Sequence, residues 1–301
     1  MRAQCPQKEH YHYVDRLRPR KVQWALRIGT AFHAGMEVLN GGGTEQEAVN
    51  AGLDSMEQIA SFVPSEEREK FVIEKIRTEV MIRQAAQRFP GYRTPYVEYE
   101  FSVPIRSPYT HRASRSYTLA GKADAIAEIE GQLWLVEYKT TGSTIEQRRE
   151  SFGLERQITL YTYALSQALG HRIQGVLMRI VQKPRTEPKR KGGQIIEPWD
   201  EYEERLMQWY DDNADTVIAE DLVTRSDKDL ERFAIEIWSE TKERLFEEHL
   251  GIVRRNTNAC GDFGGCPFRD ICLNIDGWEN QYYISNTSHD ELSVETATAA
   301  I

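Results

Sequence analysis

Two acidic residues and a lysine lie close together in the stretch GKADAIAEIEGQLWLVEYKTT. If Glu130 and Gly131 form the centre of a tight hairpin turn, Asp124 lies opposite Glu137 on the neighbouring strand. Like charges at opposed positions are destabilising unless a cation lies between them. A divalent metal ion would supply that cation, and Lys139 would lie on the same face as Glu137. From these residues alone, an ordinary hairpin with a surface Glu–Lys ion pair explains the pattern equally well.

The cysteines are a second set of residues that could bind a metal. They are Cys5, Cys260, Cys266 and Cys272, with no others in the chain. Four thiolates suit a [4Fe-4S] cluster or a tetrahedral Zn²⁺ site. Zinc sites usually show short paired spacings, whereas here one ligand would come from residue 5 and three from residues 260–272. The spacing is thus unlike that of most zinc sites, and an iron–sulfur cluster and a zinc site both stay open at this point.

Composition is typical of a soluble globular protein, with 40% hydrophobic and 28% charged residues among 301. No apolar run reaches the roughly 18 residues that would span a bilayer. The segment MRAQCPQKEHYHYVDRLRPR is too polar for a secretory signal. We therefore expect a cytoplasmic protein with no membrane partner, in which disulfides are disfavoured.

Positive charge is concentrated in three stretches, although the formal net charge is −9. Each stretch is a candidate for phosphate contacts, and solvated loops are the alternative. The basic residues are Arg16, Arg18, Arg20, Lys21 and Arg27; Arg106, Arg112, Arg115 and Lys122; and Lys183, Arg185, Lys189, Arg190 and Lys191.

The elements that must position these residues follow an α-β-β-β-α-β order. Apolar periodicity and turn signals predict helices over 22–39, 44 onward and 65–89, strands over 96–105, 117–129 and 133–139, a helix over 152–169, a strand over 173–181, and helices over 199–219 and 227–254. The last helix and strand of the core form a crossover, which should make strand 173–181 parallel to 133–139.

These elements predict one domain over residues 1–280. It would have an N-terminal helical part (20–90), a catalytic core (95–182) and a C-terminal helical and cysteine-bearing part (199–278). Residues 285–301 lack an apolar period and are expected to form a flexible tail.

The order of short motifs resembles the PD-(D/E)XK nuclease superfamily, over most of the chain from Cys5 to Cys272. A Gly-x-x-Asp motif ends at Asp124, and Glu137-Tyr138-Lys139 matches the Glu-x-Lys motif. The helix GTAFHAGME carries His33, and Gln157-Ile-Thr-Leu-Tyr161 matches a Gln-x-x-x-Tyr motif. The chain resembles in particular the RecB-like branch, which includes AddB-type and CRISPR-associated iron–sulfur exonucleases. This resemblance implies an α/β, restriction-endonuclease-like core with a mixed central sheet flanked by helices, helical insertions and a C-terminal cysteine cluster.

The resemblance also implies roles for residues. Asp124, Glu137, the backbone carbonyl of Tyr138 and His33 would bind Mg²⁺ or Mn²⁺, and Lys139 would orient or help to deprotonate the attacking water. The resemblance implies further candidates as well. An acid on the strand before the hairpin, Glu98 or Glu100, and the side chains of Gln157 and Tyr161 are accessory or DNA-contacting candidates.

The cysteine layout resembles the iron staple of AddB-type and CRISPR-associated nucleases. This resemblance favours a [4Fe-4S] cluster, with Zn²⁺ as the alternative. Cys266 and Cys272 match the final Cys-x₅-Cys of that motif. The preceding spacing, with five residues between Cys260 and Cys266, departs from the usual Cys-x₂-Cys. The staple would tie Cys5 to the three C-terminal cysteines and hold the basic N-terminal segment in place.

The resemblance implies a metal-dependent DNA nuclease, an exonuclease acting in recombination, repair or phage DNA processing. Its substrate would be single-stranded DNA or DNA with free ends, and a recombination or replication protein would be a partner. A non-catalytic iron–sulfur or zinc DNA-binding subunit is one alternative, and a structure-specific or guide-associated endonuclease is another. Retention of Asp124, Glu137 and Lys139 together favours a catalytic protein.

Overall fold

The computed structural model describes residues 4–289 and 292. The chain divides into two compact units, each built from separate segments. The terminal unit comprises the described residues of Met1–Val22, Glu100–Gly121 and Glu231–Ile301. The central unit comprises Gln23–Tyr99 and Lys122–Leu230. The single domain over residues 1–280 with three consecutive parts stays a prediction.

The helices and strands of the described residues follow the predicted order, with some additions. The helices are α1 Pro6–Glu9, α2 Trp24–Asn40, α3 Glu45–Glu57, α4 Arg68–Arg88, α5 Ile145–Phe152, α6 Arg156–Leu169, α7 Trp199–Val217, α8 Asp227–Leu250 and α9 Arg269–Cys272. The strands are β1 Leu17–Pro19, β2 Arg93–Arg106, β3 Ala113–Ile129, β4 Gln132–Thr141, β5 Ile173–Gln182, β6 Arg190–Lys191, β7 Gln194–Ile195, β8 Ile218–Thr224 and β9 Tyr282–Ile284.

A five-stranded sheet has the order β2-β3-β4-β5-β8. Strand β5 is parallel to β4, as the crossover predicts, and β8 is antiparallel to β5. The sheet is therefore mixed, and helices flank it. These features confirm the predicted α/β, restriction-endonuclease-like fold class.

The hairpin between β3 and β4 has the predicted register. Its turn residues Glu130 and Gly131 have φ angles of 52° and 74°, which is the left-handed backbone that a tight hairpin turn requires. The pairs run from Ile129↔Gln132 to Ala125↔Val136. One step further along the same register lie Asp124 and Glu137.

Helix α2 packs its apolar face on one side of this hairpin. Ala125 and Ala127 of β3 are fully buried there with Phe32 of α2, and side chains of α4 and α7 complete the core. The small alanine side chains let the helices approach the sheet closely. This packing fixes the helix that carries His33 against the strands that carry the acids.

Two predicted helices differ from the structure. The helix expected over 152–169 begins later, as α6 at Arg156, and the sequence did not predict α5, which ends at Phe152. At the break between them, the buried guanidinium of Arg225 donates to the carbonyl oxygens of Phe152 (2.6 Å) and Glu155 (3.2 Å). The helix expected over 199–219 ends at Val217, where the chain enters β8. The acids of this region gave it a helical appearance, whereas its β-branched residues favour the strand.

In the terminal unit, the N-terminal segment packs against the end of the described chain. Strand β1 pairs with β9, and the backbone N–H of Ser285 donates to the carbonyl of Arg16 at 2.8 Å. The ring of His289 stacks on that of Tyr13, with centroids 4.5 Å apart. Part of the predicted tail 285–301 is thus held in place, and residues 290, 291 and 293–301 of that prediction lie outside the described residues. Across the described chain, no helix combines the length and apolarity needed to span a membrane.

Candidate active site

Asp124 lies between two elements of the central unit. Its Oδ2 is 3.1 Å from Nδ1 of His33 on α2, and it accepts a hydrogen bond of 3.2 Å from the backbone N–H of Tyr138 on β4. Helix α2 and the hairpin therefore meet at this carboxylate, as the sequence predicts for His33 and Asp124.

Glu137 lies at the centre of a triangle of polar side chains. The ammonium of Lys139 is 2.5 Å from Oε1 of Glu137, and it also donates to Oε1 of Gln157 on α6 at 2.8 Å. The amide of Gln157 in turn donates to Oε1 of Glu137 at 3.0 Å. Gln157 is thus in contact with both catalytic candidates of β4, a contact that the sequence did not predict.

Burial is the main electrostatic effect at Glu137, whose residue exposure is only 4%. It raises the pKa of Glu137 because removal from water disfavours the charged carboxylate, and Asp124 raises it further. The positive charge of Lys139 acts in the opposite direction without cancelling the effect. A cation bound beside Glu137 and Asp124 would favour the charged form of Glu137 that burial disfavours.

Burial lowers the pKa of His33, but the hydrogen bond and the charge of Asp124 outweigh this, so its pKa is raised overall. The ring nitrogen that faces Asp124 is therefore a proton donor to the carboxylate when no metal ion is bound. A metal ion at Asp124 would compete with that proton for the same pair of side chains.

The acid of strand β2 that belongs to the central unit is Glu98. Its carboxylate forms an ion pair with Lys122, burial raises its pKa, and Asp124 contributes to the increase. Glu98 also has a φ of 50°, a left-handed backbone that interrupts strand alternation at this residue. Glu100, the other candidate, lies in the terminal unit, half-buried.

The side chain of Tyr161 is used within the protein: its hydroxyl donates to the backbone carbonyl of Lys122 on β3 at 2.9 Å. This bond ties α6 to the strand that carries Asp124. Tyr161 and Gln157 thus hold α6 to the two strands of the hairpin, one strand each.

Behind the site, the buried ring of Tyr138 joins a network that the sequence did not reveal. Its hydroxyl donates to Asn40 (2.8 Å) and accepts from Arg179 (3.1 Å), whose guanidinium also pairs with Glu220 at 2.7 Å. The one signal for it is an arginine in the otherwise apolar run IQGVLMRIVQ. The network fixes β4, and therefore the backbone between Glu137 and Lys139.

A comparison with protein families explains why these groups converge. The family model described as the PD-(D/E)XK nuclease superfamily matches residues 2–273. The chain belongs to the PD-(D/E)XK nuclease superfamily. No curated protein sequence matches it significantly. Membership indicates a nuclease, a hydrolase of phosphodiester bonds that acts on DNA, and PD-(D/E)XK nucleases typically use Mg²⁺ or Mn²⁺.

The donor set of this PD-(D/E)XK nuclease suits such an ion, since two carboxylates and an imidazole converge. Within the described part of the chain, however, no three His, Cys, Asp or Glu side chains stand in an arrangement ready to hold a metal. At the hairpin, Oε1 of Glu137 contacts Lys139 and Gln157, and Oδ2 of Asp124 contacts His33 and Tyr138. A metal ion at these two oxygens would replace those hydrogen bonds.

The four cysteines of the nuclease all belong to the terminal unit. The Sγ of Cys5 accepts from the backbone N–H of Asn256 at 3.3 Å, and the N–H of Cys266 donates to the carbonyl of Cys260 at 2.9 Å. Burial raises the pKa of Cys272, and the neighbouring thiols of Cys266 and Cys5 raise it further. Three thiols thus share one electrostatic environment, and the backbone links the fourth cysteine to it.

Proposed function

We propose that this protein is a metal-dependent DNA exonuclease whose catalytic residues are Asp124, Glu137 and Lys139. The observation that carries the proposal is the contact of Lys139 with both Glu137 (2.5 Å) and Gln157 (2.8 Å) beside the carboxylate of Asp124. A binding module has no need for a buried acid whose pKa is raised next to a lysine ammonium. Such costly arrangements are typical of catalytic sites.

Asp124, Glu137, the backbone carbonyl of Tyr138 and His33 would hold the ion. When bound, Mg²⁺ or Mn²⁺ supplies Lewis-acid stabilisation of the phosphate and acidifies a water molecule. Lys139 then has a donor free for the attacking water or for a phosphate oxygen, because an ammonium has three N–H groups and its contacts with Glu137 and Gln157 use two. Its charge offsets the negative charge that develops at phosphorus.

For the cysteines we propose a [4Fe-4S] cluster, with Zn²⁺ as the alternative, bound by Cys5, Cys260, Cys266 and Cys272. The shared electrostatic environment of three of the thiols supports the proposal, since a bound metal centre favours the thiolate form that burial disfavours at Cys272. Anaerobic purification followed by iron, acid-labile sulfide and zinc assays separates the two metals. The cluster and the RecB-like site together favour a role in recombination, repair or phage DNA processing.

The test of the proposed activity is digestion of end-labelled single- and double-stranded DNA with Mg²⁺, with Mn²⁺ and with EDTA. An exonuclease releases short products from one labelled end before internal fragments appear, whereas an endonuclease also cuts closed circular DNA. Failure to cleave any of these substrates with either metal, by protein with its metal centre intact, would contradict the proposal and favour a DNA-binding subunit.

A further inference from the structure

Basic side chains of the central unit fall into two groups. Several form ion pairs within the protein: Lys122 with Glu98, Arg190 with Glu69 (2.6 Å) and Lys189 with Glu197 (3.5 Å). Their charges are therefore partly neutralised before any substrate arrives.

Lys183 and Arg185 belong to the other group. The ammonium of Lys183 donates to the backbone carbonyl of Ala25 at 3.1 Å, and the guanidinium of Arg185 donates to that of Gly142. Within the described residues, neither side chain forms an ion pair with a carboxylate. Burial lowers the pKa of Lys183, and the negative charge of Glu74 partly opposes this effect. A bound anion would therefore favour the charged form of Lys183.

The loop that carries Lys183 and Arg185, residues 183–189, is anchored by side chains of helices α4 and α7. Arg77 of α4 donates to the carbonyl of Thr186 (2.8 Å) and pairs with Glu187 (2.7 Å), and the hydroxyl of Tyr202 on α7 also donates to Thr186 (2.8 Å). Further along, Arg205 lowers the pKa of Glu197 to about 2, and that carboxylate accepts from the N–H of Lys189 at 2.9 Å. Glu187 is thus paired with Arg77 although it is exposed, and Glu197, beyond the loop, is buried.

The ends of two parallel strands place the pair beside the catalytic residues. Lys139 lies opposite Ile180 in the β4–β5 register, so Lys183 follows roughly 10 Å further along the strand direction. Helix α2 gives a second measure: Ala25, which contacts Lys183, is about 12 Å along the helix from His33. Both distances are short enough for the pair to contact a phosphate of the same DNA strand near the one that reacts.

We propose that Lys183 and Arg185 form a clamp for the DNA backbone, binding phosphates of the strand that carries the scissile one. The clamp rests on the proposed nuclease function. Because its cations carry no paired carboxylate and its loop is anchored by α4 and α7, it binds phosphate with little loss of conformational freedom. It reads the backbone and contributes affinity rather than base specificity.

The experiment measures binding of a fluorescent 20-nucleotide DNA in EDTA as a function of salt, for wild type, Arg185→Gln, Lys183→Gln and the control Arg190→Gln. Arg190 is an apt control because it is exposed and paired with Glu69. Each clamp variant should reduce the slope of log affinity against log salt by about 0.7 to 0.9 and weaken binding about 3- to 10-fold at moderate salt. In Mg²⁺, KM should rise while kcat at saturation stays within about twofold of wild type.

Slopes and affinities equal to those of Arg190→Gln would overturn the clamp, and if the wild type still cleaves DNA, the nuclease proposal survives. A wild type that neither binds nor cleaves DNA would overturn both. Circular dichroism and thermal unfolding verify that each variant folds. Arg185 is exposed and keeps the test decisive if Lys183→Gln does not fold.

Discussion

At the scale of single residues, the ammonium of Lys139 is held in position by two hydrogen-bond acceptors, one charged and one neutral. Glu137 supplies a negative charge and Gln157 a neutral oxygen, and Gln157 also donates to Glu137. We infer that this second acceptor would keep the ammonium beside the hairpin if Glu137 bound a metal ion, which would make Gln157 a positioning residue.

Gln157→Ala should therefore lower kcat by about 10- to 100-fold with little change in KM, because Lys139 loses one of its two anchors while DNA contacts remain. The control is Gln167→Ala, an exposed glutamine on the same helix. Steady-state digestion of labelled DNA with Mg²⁺ measures both variants. Equal kcat values for wild type and Gln157→Ala would show that Gln157 does not position the lysine.

The sequence predicts some contacts of this site and not others. Hairpin register follows from a short turn and period-two alternation, so the placement of Asp124, Glu137 and Lys139 on neighbouring strands could be predicted. The contacts of Gln157 with Lys139 and Glu137 could not be predicted, since they depend on the rotation of α6 about its axis and on the residue at which it starts. That start is set by Arg225, which is distant in sequence from both helices it separates.

At the scale of elements, the sheet extends one strand further than its pattern indicated. The core elements were predictable because each has a clear period and a turn or cap at its end, such as the capping box of Thr44 and Glu47 before α3. Strand β8 was missed because its acids, among them Glu220, were interpreted as helical surface. Their partners, including Arg179 on β5, are visible only in three dimensions.

Gly175 of β5 gives a test of this strand. A Cβ at that position would lie 2.3 Å from the backbone oxygen of Val223 on β8, so Gly175→Ala should push β8 away and lower the free energy of unfolding by about 1–3 kcal/mol. In Gly153→Ala the new Cβ meets nothing within 4 Å and the φ of −57° is helical, so stability should stay within about 0.5 kcal/mol. Urea unfolding of both variants checks the difference, and equal midpoints would contradict the pairing of β5 with β8.

At the scale of the whole molecule, Arg18 and strand β1 hold the N-terminal segment in the terminal unit, independently of the cysteines. Arg18 was a candidate phosphate contact in the sequence, but it is buried and donates to the carbonyls of His12 (2.5 Å) and Ser288 (3.3 Å). Strand β1 also pairs with β9. A metal centre at Cys5 would therefore add to an attachment that already exists.

Cys5→Ala should remove the cluster absorbance yet leave residues 4–22 resistant to limited proteolysis, because β1 and Arg18 still hold them. Arg18→Ala should expose the same segment and cost about 2 kcal/mol, since buried carbonyls lose a charged donor. Lys21→Ala, at an exposed position, is the control. Rapid cleavage of this segment in Cys5→Ala alone would show that the cysteines carry the attachment.

The most direct test of the whole account is the rate of Mg²⁺-dependent hydrolysis of end-labelled DNA by Lys139→Ala beside Lys228→Ala, which replaces an exposed lysine of α8. Lys139 is the group whose two contacts define the site, and thermal unfolding of both variants verifies that they fold. We predict that Lys139→Ala loses at least about 10³-fold in rate, whereas Lys228→Ala retains wild-type activity. Hydrolysis by Lys139→Ala at the wild-type rate would contradict the assignment of the active site to this hairpin.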